Sequence, residues 1–398
     1  MAVFRGADLL IPREELLPRW PVIACDQFTS QPEYWREVEK IVGSAPSTLR
    51  IIFPEAELGA DDDARIARID RTMEDYLVNG VFRLYPQSYV YVERSFADGA
   101  LRRGVVGVVD LEAYDYRRET KKPIRATEQT VLSRIPPRVK IRAGAPIECS
   151  HVLLLCSDRD RKLIEGIEKG EKLYDLELMQ GGGRVAGWLV DREKAARFER
   201  AVAAYEAAAK DGFCYAVGDG NHSLAAAKTC WEELKKADPT LAGTDHPARY
   251  AMVELENLFD PVQQFEPIHR IVRGVDPARL LDALGQASGR EGTVVLWYTK
   301  HGGGVLRFGK ERLPLEALQN ALDAFLAAEG GSIDYIHGED VALRLAREDG
   351  AIAFVLPAVE KEALFATIAR SGVLPRKTFS IGHAEEKRYY LECRKILP

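Results

Sequence analysis

One stretch constrains the fold more than any other: residues 211–231, DGFCYAVGDGNHSLAAAKTCW. Phe213 to Val217 is a short apolar run with strand composition, and Leu224, Ala227, Trp231 and Leu234 recur at helical spacing. A strand must therefore pass into a helix through Gly218, Asp219, Gly220, Asn221, His222 and Ser223. A helix N-terminus offers unpaired N–H groups and a partial positive charge, which suits a phosphate. Asp219 is a poor phosphate partner, but it can hold Mg²⁺ or orient a hydroxyl. A purely structural reading stands beside this one: a strand-to-helix turn with Asn221 or Ser223 as N-cap.

The rest of the chain alternates in the same way. Helices are expected at 32–42, 64–79, 191–210, 315–328 and 360–370 from apolar spacing. Strands are expected at 49–53, 89–94, 104–110, 152–156, 341–345, 351–356 and 388–391, with a hairpin over 293–310. Pro136-Pro137 argues that part of the segment after Glu128 is extended. The pattern predicts a mixed α/β (α+β) fold of several small mixed-sheet modules, divided at 1–120, 121–275 and 276–398.

Composition removes several classes of function. A net charge of -6 over 398 residues argues against general nucleic-acid binding. No apolar run approaches the ~18 residues of a membrane helix, and the start MAVFRGADLLIP lacks a signal-peptide core. The six cysteines form no CxxC pair and the seven histidines no HExxH, so a reducing, cytoplasmic setting without zinc is expected. Three tempting motifs also fail. The glycines at 302–304 lack a GxSxG partner, Gln180–Arg184 lacks the Lys-Ser/Thr of a P-loop, and no GxGxxG joins a strand to a helix.

Other residues carry chemistry. Arg125, Glu128, Arg134 and Arg138 place cations near a carboxylate, a set able to grip phosphates while Glu128 takes a proton; a solvated basic segment has the same composition. Asp26 follows an apolar strand, where open α/β sheets place ligand groups. Glu266, His269 and Arg270 cluster at a module end, and Lys377 adds a cation. The hydroxyls of Ser44, Ser47 and Thr48 form either a ligand contact or a turn.

With these residues in view, the chain resembles the domain of unknown function 1015 family almost end to end. The likeness rests on ACDQFTSQPEYW (24–35), APSTLRIIFPE (45–55), IRATEQT (124–130), VGDGNHSLAAAK (217–228), FEPIHRIV (265–272) and LPRKTFSIG (374–382), among others. At greater distance, Glu128 followed by Asp219-Gly220-Asn221-His222 is similar to the ParB-like superfamily, which includes CTP-binding partition proteins and free-serine kinases. In those kinases a carboxylate is the base and an Asp-Gly-His-His-Arg turn opens a helix under the phosphates. This chain has Asn221 in place of the first histidine and Ser223 in place of the arginine, which removes a bidentate phosphate grip.

The resemblance implies a small-molecule kinase that moves a phosphoryl group from ATP or ADP to L-serine or a similar hydroxy acid. Glu128, Asp219 and His222 are then the expected catalytic residues, with Asp219 also the Mg²⁺ ligand. Gly218, Gly220, Asn221, Ser223, Arg125, Arg134, Arg138 and Lys377 are expected at the phosphates. Asp26, Glu266, His269 and Arg270 are expected at the acceptor. Two other readings fit the same residues: a nucleotide- or metabolite-binding regulator without turnover, and a small-molecule phosphohydrolase. The expected partners are a small molecule and a nucleotide, with neither nucleic acid nor membrane; oligomeric state is left open.

Overall fold

The computed structural model describes residues 2–29, 31–59, 62–96, 98–132, 135–308 and 314–397. The fold is mixed α/β, with two sheets that each belong to one compact unit. Residues 1–126, 130–263 and 383–398 form the larger unit, and residues 127–129 and 264–382 form the smaller.

In the larger unit the period-2 alternation of a strand sorts side chains between two cores. Phe82–Ser95 and Leu101–Asp110 pair antiparallel, and Leu101–Asp110 pairs in turn with Tyr250–Asn257. Tyr89, Tyr91, Val105, Val109, Val253 and Leu255 face one core; Val90, Val92, Val106, Val108 and Met252 face the other. Both faces are apolar because both are covered, which gives these strands their near-continuous hydrophobic runs. Phe198 and Val202 of helix Arg192–Ala208 cover the first face together with Leu224, Ala227 and Trp231 of helix Asn221–Ala237. Ile66, Ile69, Met73 and Tyr76 of helix Asp62–Val78 cover the second.

The sheet runs from Tyr114–Asp115 through Ile124–Ala126, Tyr215–Asp219, Leu153–Cys156, Tyr250–Asn257, Leu101–Asp110, Phe82–Ser95 and Ala7–Pro12 to Cys393–Lys395 and Ile147–Cys149. Strands from before residue 120 and from 121–275 thus share one sheet, and a strand from the C-terminal segment lies between two of them. Tyr215–Asp219 is parallel to Ile124–Ala126 and antiparallel to Leu153–Cys156.

The smaller unit has the strand order Gly302–Phe308, Thr293–Thr299, Ile352–Val355, Phe265–Arg273 and Ser332–His337, with Phe379–Ile381 beside Phe265–Arg273. Leu280, Leu284, Leu318 and Leu322 of helices Pro277–Ala287 and Pro314–Glu329 pack on Val272, Val295 and Phe354.

Several local expectations are corrected. Residues 49–53 are not a strand: Thr48–Arg50 is a 3₁₀ turn, and the buried Ser47 and Thr48 hydroxyls both donate to the Trp20 carbonyl, at 3.1 and 2.6 Å. That bonding settles the hydroxyl cluster as a turn. Pro136 and Pro137 lie in the first turn of helix Ile135–Ala143, where a missing N–H costs nothing. Residues 341–345 belong to helix Glu339–Leu345, which buries Ala342. Around 388–391 the chain makes only the isolated bridge Ile23–Arg388, and the C-terminal strand is Cys393–Lys395. Among the described residues no helix is long and apolar enough to cross a membrane.

Candidate functional site

In the larger unit, the strand Tyr215–Asp219 ends in a register shift against Leu153–Cys156 between Val217 and Asp219, at Gly218. Gly220 follows in the left-handed region, at φ +76°. A Cβ there would lie 2.9 Å from Val152 Cγ2 and 3.0 Å from Val152 Cα, so both the dihedral and the close approach require glycine. The Gly220 N–H donates to Asp219 Oδ1 at 2.8 Å. Helix Asn221–Ala237 starts immediately after, with Gly220 and neither Asn221 nor Ser223 as its N-cap. No side chain caps this end, so the first-turn N–H groups keep their capacity for an acceptor.

Charged and polar groups surround the turn. Asp219 Oδ2 lies 3.2 Å from Lys387 Nζ. His222 Nε2 accepts the Val131 N–H at 3.1 Å, which places the proton of a neutral ring on Nδ1. Ser223 Oγ lies 3.3 Å from His151 Nε2. His151 Nδ1 and Asn221 Oδ1 are buried and have no hydrogen-bond partner among the described residues. Buried polar atoms in native proteins are normally satisfied by protein, water or ligand, and two such atoms lie beside this turn.

Asp26 belongs to the same group. Its Oδ1 accepts from the Gln27 amide at 2.9 Å, and its Oδ2 lies 3.9 Å from Arg138 Nη2, which also pairs with Glu55. Burial pushes the Asp26 carboxyl up, but His151, the Gln27 hydrogen bond, Arg138 and Lys387 together outweigh it and hold it at about 2. Asp26 is therefore a permanent anion at neutral pH. Burial and the Asp26 charge push the neighbouring Cys25 thiol up to about 12, so it is no thiolate nucleophile. A cavity of about 120 Å³ adjoins the group, lined by Cys25, Arg138, Arg142, Cys149, Ser223 and Tyr389 among others.

Glu128 lies in the smaller unit, in a three-residue segment that runs beside Leu374. Its Oε2 accepts from the Lys377 N–H at 3.0 Å, and its Oε1 from the N–H groups of Thr378 and Phe379 at 3.0 and 3.5 Å. Burial raises its carboxyl above the ordinary range despite these donors. Lys377 itself has φ +55°. Arg270 supports this loop from beneath: fully buried, it donates to the carbonyls of Ile268, Lys377 and Arg376 and to Gln319 Oε1. It is thus a brace for the segment that grips Glu128, and its expected place at the acceptor is corrected.

The other expected residues divide. His269 is buried, and its Nδ1 accepts the Leu356 N–H at 3.2 Å; it too is structural. Glu266 pairs in register with Ser380 in the same sheet. Arg125 is buried with its guanidinium 4.4 Å from the Phe213 ring centroid and its Nε donating to the Lys122 carbonyl. Those partners lie at the end of Tyr215–Asp219 away from the turn, so Arg125 does not serve as a clamp there. Arg134 lies outside the described residues. Among the described residues, Arg138 is the expected cation that joins the group in the larger unit.

Sequence reasoning missed Lys387, His151 and Glu55. Lys387 sits in HAEEKRYY with no motif around it, and only the folded chain brings it to Asp219. His151 opens the apolar run 152–156, a position that could have drawn attention.

Among the described residues no three His, Cys, Asp or Glu side chains group to hold a metal. Asp219 supplies one carboxylate. That matches Mg²⁺ arriving with a polyphosphate, which takes one or two protein carboxylates, and does not match an all-protein cage.

A free serine kinase in complex with AMP is similar at TM-score 0.42 and 12% identity, over 73% of this chain and 92% of that one. A conserved hypothetical protein from Pyrococcus furiosus is similar at TM-score 0.39 and 13% identity, over 70% and 90%. SbnI from Staphylococcus aureus, truncated at its C-terminus, is similar at TM-score 0.39 and 9% identity, over 70% and 82%. No curated protein matches the sequence. The family described as "Protein of unknown function (DUF1015)" matches residues 5–393, and the chain belongs to that family.

Proposed function

We propose that the protein is a small-molecule kinase that transfers a phosphoryl group from ATP or ADP to the hydroxyl of L-serine or a similar hydroxy acid. One observation carries the reading: a helix start without a side-chain cap, flanked by Lys387 and by the unsatisfied Asn221 Oδ1 and His151 Nδ1. Such an end receives phosphate oxygens through backbone N–H groups, and Lys387 adds the neutralising charge that Ser223 cannot. Asp219 is assigned to Mg²⁺ carried in by the nucleotide, in exchange for its contact with Lys387. His222 is assigned a place beside the phosphates.

Phosphoryl transfer asks the protein for position, charge neutralisation and a group to receive the hydroxyl proton. A carboxylate with a raised pKa has the character of that base, and Glu128 is assigned to it. A permanent anion such as Asp26 suits the ammonium of an amino acid, and Arg138 its carboxylate.

The test is direct. Protein with Mg²⁺, ATP or ADP and a panel of amino and hydroxy acids is followed by ³¹P NMR for a new phosphomonoester. Steady formation with L-serine or another hydroxy acid, absent in Asp219→Asn, supports the assignment. Tight nucleotide binding without any phosphomonoester, or phosphate release that needs no acceptor, overturns it.

A further inference from the structure

Two of the six cysteines are neighbours across the sheet of the larger unit. Cys149 closes the strand Ile147–Cys149, Cys393 opens the strand Cys393–Lys395, and the two are directly opposed in antiparallel register. Their sulfurs lie 2.8 Å apart. Cys393 is fully buried, whereas Cys149 is half-buried and lines the cavity of about 120 Å³. The cavity gives a small oxidant a path to the Cys149 sulfur. Burial holds protonated both Cys25, the other cysteine on the cavity wall, and Cys393, so Cys149 is the sulfur that meets the oxidant and Cys393 the one that follows as a thiol.

We infer that Cys149 and Cys393 are a peroxide-oxidisable dithiol that closes to an internal disulfide. In the first step the Cys149 sulfur attacks one oxygen of hydrogen peroxide. The O–O bond breaks, a sulfenic acid forms and one water leaves. In the second step the Cys393 sulfur attacks the Cys149 sulfur, the S–O bond breaks, and hydroxide departs as water with the Cys393 proton. Two thiols lose two electrons, and one peroxide becomes two waters. The bond would tie the C-terminal strand to Ile147–Cys149, and with it the segment that carries Lys387 and Tyr389. This inference does not rest on the proposed kinase activity.

The reduced full-length protein is exposed to hydrogen peroxide, denatured and alkylated, then measured by intact mass and peptide mapping. The expected result is two of the six cysteines protected from alkylation, a mass lower by ~2 Da before alkylation, and one cross-linked peptide joining residues 149 and 393. Cys393→Ser should arrest at a Cys149 sulfenic acid that dimedone traps. Six alkylatable thiols after oxidation, or a cross-link between any other pair, overturns the inference. The wild-type map alone decides, even if a variant fails to fold.

Discussion

Asp219 and Lys387 meet at 3.2 Å, although one ends a strand in the middle of the sequence and the other lies in its last dozen residues. The turn at 218–223 therefore borrows its cation from a remote segment. Lys387→Met is expected to weaken ATP or ADP binding by roughly 10- to 100-fold, the worth of one charge-assisted contact. Isothermal titration reads this directly; affinity unchanged within twofold would remove Lys387 from the nucleotide site.

Glu128→Gln keeps the shape of the side chain and one accepting oxygen for the amides of Thr378 and Phe379, but gives up the bond from the Lys377 N–H. Turnover should fall by at least about 10²-fold, the usual weight of a positioned base, while nucleotide affinity stays within twofold. Paired measurement of kcat and nucleotide Kd separates the two effects. Wild-type turnover in the variant would leave the base to another group.

Gly220→Ala should destabilise the protein by about 1–3 kcal/mol, because a left-handed dihedral and a contact with Val152 both oppose the new Cβ. The urea midpoint of Gly220→Ala should fall below that of the wild type. An unchanged midpoint would mean that Val152 yields and that neither the dihedral nor the close approach is a constraint.

Glu392 is fully buried, accepts the Tyr174 hydroxyl at 2.6 Å, and has an Oε2 without a partner. Burial raises its carboxyl from 4.5 to about 7. The folded state then holds a proton that the unfolded state releases, so stability falls as pH rises from about 4.5 to about 7 and levels off above. Glu392→Gln should remove up to about 3 kcal/mol of that fall. Denaturation midpoints at pH 5 and pH 7.5 check this; parallel slopes in variant and wild type would exclude Glu392 as the source.

The fold was legible where periodicity was strong. Ile66, Ile69, Met73 and Tyr76 identify their helix because a repeat of three to four residues leaves one buried face. Residues 341–345 misled because a short apolar run fits strand and helix alike, and packing of Ala342 decided between them. The turn at 218–223 was visible because two glycines between a strand and a helix have few structural uses. Its surroundings were not. Lys387 and His151 carry no local signature, and Arg125 looked like a clamp until its guanidinium was found on Phe213. A charged residue declares its chemistry in the sequence but not its direction, and direction here is set by which end of a strand its neighbours occupy.

The strand Cys393–Lys395 fills a slot between Ala7–Pro12 and Ile147–Cys149, and the ribosome makes it only after residues 264–382. At ~5–20 residues per second, that interval lasts many seconds after the site helix has emerged. Throughout it the nascent larger unit has an open seam, and the turn at 218–223 lacks the lysine that pairs with Asp219. A chain halted before residue 387 would carry the glycine turn without its electrical partner.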